Sequence, residues 1–412
     1  MSWRELYYHT APRGLSSEQW WLGVKLHRRQ ARRYLALDDK RGTPYSYTIN
    51  DLIQQKLHLI DRKAGTSITT EAQSVFSENE RKKYIVTSLV EEAIMSSMLE
   101  GAAVTRSEAR EMLRTNRVPV NRHELMVLNN YSAMQMIMAN RERKLTPEFI
   151  LSLHRCVVQG TLNTPDKAGV LRTEADDVRI EDERNGEIVH VPPPASSLPE
   201  RLEKLCAFAN GEDGDYYIHP VVRAIILHFQ LAYDHPFVDG NGRIARSLFY
   251  WMMLHSGYWL FEYISISHEI FRHSGRYYEA FLNVEEDEND LNYFIVNQLD
   301  IINDSVTALL EHARAKQNDY SKLQQILAHA SCFNFRQMEV LMYFLNHPQS
   351  VTSVKMHSTR FRVVLQTART DLVKLVELGL LQSKFVSREQ RFYPVADLEQ
   401  RLREIGEGKL NC

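Results

Sequence analysis

His235-Pro236-Phe237-Val238-Asp239-Gly240-Asn241-Gly242-Arg243-Ile244-Ala245-Arg246 lies between two strongly apolar segments of this 412-residue chain. The segment before it, from about Val221 to Tyr233, is hydrophobic nearly all round, which predicts a buried helix. The segment after it begins a second helix near Gly242, running through Leu248, Phe249 and Met253 to Gly257 as a C′ glycine. The loop between them concentrates seven polar or glycine positions. Such a loop joining two buried helices is built for chemistry rather than for solvation.

The residue types suit a nucleotide. Gly240 and Gly242 leave backbone N–H groups open at a helix N-terminus, an anion site, and the Asn241 side chain can donate to the same anion. Arg243 and Arg246 are three apart, so both can reach adjacent phosphates. Asp239 is a hard oxygen ligand of the kind that holds a hydrated Mg²⁺ against phosphates. His235 is the residue able to take a proton near neutral pH. Together these describe attack of a hydroxyl on a held phosphate. A bare Gly-x-Gly would fit a polar turn equally well; the whole set does not.

The stretch matches without a gap the HxFx(D/E)GNGRxxR signature of the Fic family, and Ile218-His219-Pro220 and Leu227-His228-Phe229 also resemble that family. The resemblance covers roughly residues 80 to 300. It implies a mainly α fold: a Fic-type helical core with a β-hairpin flap. It also implies transfer of AMP from ATP to a Ser, Thr or Tyr hydroxyl of a target protein or of the chain itself, releasing pyrophosphate. On it, His235 is the catalytic base, Asp239 holds Mg²⁺, and Gly240, Asn241 and Gly242 cradle the α- and β-phosphates. Arg243 contacts a phosphate, Arg246 the γ-phosphate, and Ile244 and Ala245 complete the nucleotide-binding stretch. Gly242 argues against a kinase, since Doc-like kinases resemble the family with a lysine there.

Upstream, Arg81 to Gly101 predicts a helix in which Ile85, Leu89, Ala93, Ser96 and Glu100 share a buried stripe. A carboxylate on that face needs a partner. Ser96-Ser97-Met98-Leu99-Glu100-Gly101 is similar to the (S/T)xxxE(G/N) inhibitory motif of many Fic proteins, with Ser96, Glu100 and Gly101 at its defined positions. The resemblance implies that Glu100 pairs with Arg246 and blocks productive γ-phosphate binding, as in the family's second regulatory class. In some relatives this glutamate also helps remove AMP, so a reverse reaction is implied as well.

Asp177–Ile180 and Glu187–Val191 alternate at period two around Asn185-Gly186, a hairpin signal. In the family a hairpin here, after a Gly-x-x-Arg like Gly169–Arg172 and before prolines like Pro192–Pro194, is the flap that clamps the target by strand addition. Ile188, Val189, His190 and Val191 are its edge near the nucleotide. Helices are expected over Arg122–Ala139 and Pro147–Gln159. Arg276-Tyr277-Tyr278 resembles a segment whose tyrosine, here Tyr277, lies near the adenine. Relatives often carry an asparagine eight residues on, where this chain has Glu285, which leaves the base pocket open; Glu285–Glu288 reads as a solvated turn.

Residues 1–75 read as a helical region in which Arg28, Arg29, Arg32 and Arg33 form a solvated face. From Phe335 three helices (Arg336–Asn346, Val351–Ser358, Val364–Leu380) and a hairpin (Leu381–Val386, Arg391–Pro394) follow the winged helix-turn-helix pattern. Over Phe333–Cys412, 12 Lys and Arg stand against 8 Asp and Glu, a net +4, with Gln366, Thr367, Arg369 and Lys374 facing outward. That allows DNA binding without favouring it over a protein contact. The expected organisation is an N-terminal helical region (1–75), a Fic domain (76–317) and a winged domain (318–412). Within the Fic domain lie an inhibitory helix (81–101), a flap (177–191) and a signature loop (235–246).

With 44% hydrophobic and 25% charged residues the chain is of globular type, and its formal net charge of -2 gives no overall sign of nucleic-acid binding. No apolar run approaches a membrane span, and the N-terminus does not open a signal peptide. Cys156, Cys206, Cys332 and Cys412 lack metal-ligand spacing. The expectation is a cytoplasmic protein with reduced thiols and no membrane partner. A homodimer is compatible with it. The alternatives are a DNA-binding regulator carrying a Fic domain, and a Fic enzyme that transfers another nucleotide.

Overall fold

The computed structural model describes residues 3–64, 78–181, 186–214, 217–329, 333–348, 350–386 and 389–406. The side chains of 78–86, 312–313, 315–329, 346 and 386 lie outside that description, and so do Asn185 of the expected turn, Cys332 and Cys412. The side chain of Ile85, the first residue of the expected stripe, is among those left out. The chain divides into two compact units, residues 1–309 and 310–412.

The first unit is built around two consecutive helices. Pro220–Asp234 starts with His219 as N-cap and proline at N1, which fixes φ where no N–H is needed. Nearly every residue in it is buried, as an all-round apolar sequence requires. Asn241–His255 is equally enclosed, with Arg243–Leu254 all buried, and packs along the first. Phe229 sits at the centre of an aromatic cluster, its ring centroid 5.3 Å from Tyr45, 5.1 Å from Phe281 and 5.3 Å from Phe294.

Helices Glu78–Met98, Arg122–Ala139 and Pro147–Val157 pack onto the Asn241–His255 helix. The first is fastened to the second by backbone acceptors. Ser97 Oγ donates to Ala93 O (2.7 Å) and Met126 O (3.3 Å), and Asn130 Nδ2 donates to Ala93 O (3.3 Å). The expected flap is a short antiparallel pair, Ile180–Glu181 with Ile188–His190, in register Ile180↔His190.

Residues 1–75 are not helical throughout. Arg33–Asp38 and Pro44–Tyr47 pair as an antiparallel hairpin in register Arg33↔Tyr47, turned at Asp39, whose Oδ1 accepts from Arg41 N and Thr43 N (2.8 Å each). Leu35, Leu37, Tyr45 and Tyr47 are its buried positions. The arginine face before it and the acidic turn are not merely solvated but meet each other, although Arg29 and Glu286 stay more than half exposed. Lys25 and Arg28 meet Asp287, while Lys25, Arg29 and Arg32 meet Glu288. Arg29, foremost among these, holds the Glu288 carboxyl down at about 2.

In the second unit, helices Phe335–Asn346, Val354–Phe361 and Leu365–Glu377 precede strands Leu381–Val386 and Glu389–Pro394. Thr352–Ser353 adds a third strand, giving an antiparallel sheet with Glu389–Pro394 in the middle. This pairing is why the second helix starts at Val354 rather than Val351. Leu341, Phe344, Leu372, Leu375, Phe392 and Leu402 form the core.

Candidate active site

The Pro220–Asp234 helix ends at His235, whose backbone is left-handed (φ 45°) with its N–H on Leu231 O. This conformation is costly for a non-glycine residue and is maintained only where the surroundings impose it. Arg172 imposes it: its Nε donates to His235 O (2.8 Å), its Nη2 to Pro193 O (2.6 Å), and its own N–H meets Pro236 O (2.9 Å). Thus the loop and the chain leaving the flap share one guanidinium.

The His235 ring is half-buried, with Nδ1 3.2 Å from Ala232 O. A carbonyl accepts only, so the proton resides on Nδ1 and the Nε2 lone pair is left for a substrate. Burial, foremost, pushes the ring down to about 4, against the Ala232 carbonyl and Glu100, which favour the cation. The ring is therefore neutral across the physiological range, with its Nε2 lone pair available. We expect transfer to show no inflection from His235 near pH 6.5 and to fall as pH drops through about 4, measured as single-turnover rates; a rate halved near 6.5 by this group would contradict the assignment.

The loop after His235 is braced from beneath. Asn241 Oδ1 accepts from Phe237 N (2.9 Å) and Nδ2 donates to Phe237 O (2.8 Å). Phe237 stacks on His154 at 3.8 Å with planes 6° apart. His154 Nδ1 accepts from Gly169 N (2.9 Å), so its Nε2 donates to Asp239 O (3.0 Å), and burial pushes it to about 4, in keeping with a neutral ring. Gly240 has φ 88°, and a Cβ there would come within 2.9 Å of Val158 Cγ1, so only glycine fits.

Two expectations for this loop are corrected. The Asn241 side chain is buried and engaged with Phe237, so it shapes the loop and does not point at an anion. Arg243 and Arg246 do not present one phosphate-binding face. Arg243 is wholly buried and turns back, donating Nη2 to Asp239 Oδ1 (3.1 Å) and Nη1 to Val157 O (3.2 Å). Ile244 and Ala245 are also fully buried and can offer a ligand only backbone groups.

Arg246 turns to the Glu78–Met98 helix. Its Nε donates to Ser96 Oγ (2.8 Å), and its Nη2 donates to Ser96 O (2.9 Å) and Glu100 Oε1 (3.0 Å). The helix ends at Met98 and the chain turns through Gly101 (φ 81°), with Ala102 N on Ser97 O. This turn brings the Glu100 carboxylate against Gly242, where any Cβ would overlap Oε1. A carboxylate thus occupies the uncapped N-terminus of the Asn241–His255 helix, the position that favours an anion.

Tyr277 is not an open surface for a base. It is buried, its OH 2.9 Å from His228 Nε2. On the flap, Ile188, Val189 and Val191 are exposed, but His190 points inward. Its Nε2 donates to Tyr233 O (2.9 Å) and its Nδ1 lies 2.8 Å from Glu285 Oε1. Glu285 thus lies against the flap histidine, with its side chain one-quarter exposed.

Asp239 is the candidate cation ligand. Its carboxylate is about one-third exposed, and among the described residues no cluster of three or more His, Cys, Asp or Glu surrounds it. A single hard carboxylate fits a divalent cation that keeps its water and completes its shell with phosphate oxygens, not a closed protein cage.

Four contributors went unread in the sequence. Arg172 stood in the Gly169–Arg172 spacing. His154 follows Ile150 at i+4 within an otherwise apolar buried stripe. Arg122 had no signal. Glu92 follows Leu89 at i+3 and is buried, accepting from Tyr250 OH (2.8 Å), Ser265 Oγ (2.9 Å), Ser267 N (3.1 Å) and Ser267 Oγ. It ties the Glu100-bearing helix to the Arg246-bearing one. Glu92→Ala strands these donors and should cost roughly 3 kcal/mol of stability, seen as a lower denaturation midpoint; an unchanged midpoint would mean that the network is dispensable.

A mainly helical core that presents a neutral imidazole beside an uncapped helix N-terminus is the kind of site suited to an anion and to a group that gives up a proton. Residues 144–253 match the model of the Fic/DOC family, and the signature loop lies inside the match. Protein adenylyltransferase Fic of Drosophila willistoni is 29% identical over 219 residues, 51% of this chain and 40% of that protein. The Drosophila mojavensis protein of the same name is 29% identical over 216 residues, 50% of this chain and 39% of that one. This chain thus spans about two-fifths of the curated relatives it matches. A Fic family protein from Desulfovibrio desulfuricans has a similar fold, with TM-score 0.57 and 18% identity, covering 85% of this chain and 98% of that one. Among the described residues, no helix is long and apolar enough to cross a membrane.

Proposed function

We propose that the chain is a protein adenylyltransferase that transfers AMP from ATP to a Ser, Thr or Tyr hydroxyl of a target protein or of itself, under restraint by Glu100. The observation that carries this is the juxtaposition of His235, with its lone pair free, and a helix N-terminus whose anion position is filled by a side chain on a neighbouring helix.

In the forward step the target hydroxyl oxygen attacks the α-phosphorus while His235 Nε2 takes its proton. The bond from the α-phosphorus to the bridging oxygen breaks and pyrophosphate leaves. The backbone of Gly240–Gly242 faces the phosphates and Arg246 receives the γ-phosphate once Glu100 withdraws. Asp239 would hold Mg²⁺, which supplies charge neutralisation at the phosphates when bound. Arg243 serves by fixing Asp239. The exposed edge at Ile188, Val189 and Val191 suits strand addition by an extended target segment. Hydrolysis of the AMP ester at the same site would use Glu100 and His235 in reverse, and the compartment in keeping with free Cys156 and Cys206 is the cytoplasm.

The Glu100→Gly form should incorporate label from ATP labelled at the α-phosphate and none from the γ-position. Incorporation from the γ-position would replace this reading with a kinase, and labelling from other nucleotides in preference to ATP would change the donor.

A second reading concerns residues 310–412, which we assign as a winged helix-turn-helix module. Lys355, Gln366, Arg369, Gln390 and Arg391 line a cleft beside the Leu365–Glu377 helix. Val364, Leu365 and Phe385 are exposed in the same region, which suits a protein contact better than a phosphate backbone. Sequence-specific retardation of duplex DNA in physiological salt would favour the regulator instead.

A further inference from the structure

The Asp239 carboxylate meets two guanidinium groups of different character. Oδ1 is 3.1 Å from Arg243 Nη2, and that arginine's side chain is 0% exposed and pinned to the Val157 carbonyl. Oδ2 is 3.6 Å from Arg122 Nη2, and that side chain is 52% exposed. Arg122 is the first residue of the Arg122–Ala139 helix, just after its Asn121 N-cap. It is a long side chain leaning over the mouth of the site from a fixed base. One arginine is therefore part of the scaffold, and the other is a loose, half-exposed ion pair on the second oxygen.

We propose that Arg122 stands in for the divalent cation: it covers the open oxygen of Asp239 while no metal is bound and yields that oxygen when the metal arrives. This rests on the assignment of Asp239 as the cation ligand. The argument is one of charge. An ion of charge +2 on Oδ2 and a guanidinium within 4 Å of the same atom repel each other, so each weakens the other's hold on that oxygen. A side chain half in water can leave at small cost, whereas a wholly buried one cannot. The anion side of the site shows the same arrangement. There the Glu100 carboxylate lies where the phosphate oxygens belong, against Gly242 and Arg246. Each of the two positions holds a protein group of the matching sign, Arg122 at the start of one helix and Glu100 just past the end of another that packs against it. Arg122 is thus a positioning residue, acting on metal occupancy through Asp239.

The test is Mn²⁺ binding by the full chain without nucleotide, read from the electron paramagnetic resonance of the free aqueous ion. R122Q should bind Mn²⁺ roughly two- to fivefold more tightly than the wild type, the range of an exposed ion pair. R122K keeps the charge and should lie nearer the wild type than R122Q. D239N should lose the binding in either background. Equal affinity in wild type and R122Q, or R122K as tight as R122Q, overturns the role of Arg122 while D239N still reports on the ligand. If D239N binds as the wild type does, the ion is held elsewhere and the assignment of Asp239 falls first.

Discussion

With His235→Ala, AMP transfer falls by about 10² to 10⁴ while nucleotide binding is retained. The range is what removal of a positioned general base costs. The retention follows from where the contacts are. The loop is held by Asn241 on Phe237, His154 on Asp239 O and Arg172 on the backbone carbonyl of His235, and none of these uses the imidazole. Among the described residues the one polar contact of the ring is Nδ1 with Ala232 O, and in a half-exposed position water can take its place. The measurement pairs α-labelled AMP incorporation with calorimetric titration of ATP, both in the Glu100→Gly background so that activity is visible. Transfer at the parent rate would show that another group takes the proton. Loss of ATP binding as well would show that the ring shapes the pocket.

The second large effect is the gain on Glu100→Gly. The carboxylate lies on Arg246 and against Gly242, so it opposes a γ-phosphate by charge and obstructs the approach to the helix N-terminus. On the proposed function, ATP bound beside it would be displaced from the geometry of attack, and misplacement by about an ångström costs on the order of 10²-fold. Removing it leaves Arg246 on Ser96 through both Nε and Nη2, so the arginine stays aimed at the site. We expect incorporation to rise on the order of 10²-fold, with a smaller gain in ATP affinity. Arg246→Ala, alone or in combination, should remain weak, since it deprives the active state of the same guanidinium. Equal incorporation by wild type and Glu100→Gly would remove Glu100 from the control of the enzyme, and an active Arg246→Ala would confine the arginine to restraint.

The sequence was legible where periodicity and residue type coincide. The all-round apolar helix Pro220–Asp234 could be placed from its periodicity, whereas the loop with its two glycines, and Ser96 and Glu100 one turn apart, could be placed through the family motifs they resemble. What could not be read was direction. Arg243 and Arg246 are three apart on a helix, and spacing puts them on neighbouring faces, yet one turns back to Asp239 and the other out to Ser96. Asn241 has the donors of an anion ligand and spends them on Phe237. Tyr277 sits at a ligand position by resemblance, and packing closes it in. The hairpin at Arg33–Tyr47 was missed although Leu35/Leu37 and Tyr45/Tyr47 alternate around a turn ending at Gly42. The neighbouring arginines suggested solvent because their acidic partners lie more than 250 residues away. Long-range ion pairs leave no periodic trace.

The fixed loop and the separate carboxylate divide labour in a way that bears on how such a protein can be governed. The cradle is a casting, set by hydrogen bonds to the backbone and a stacked ring. The stopper belongs to another part of the chain, two residues past the end of a helix, on a turn hinged at Gly101 and followed by the segment leading to Thr105. A pull of a few ångströms on that segment would unstop the cradle without reshaping it. Any agent able to tug there, whether a docked protein or a neighbouring subunit, could set the output like a hand on a tap, leaving the machinery downstream untouched.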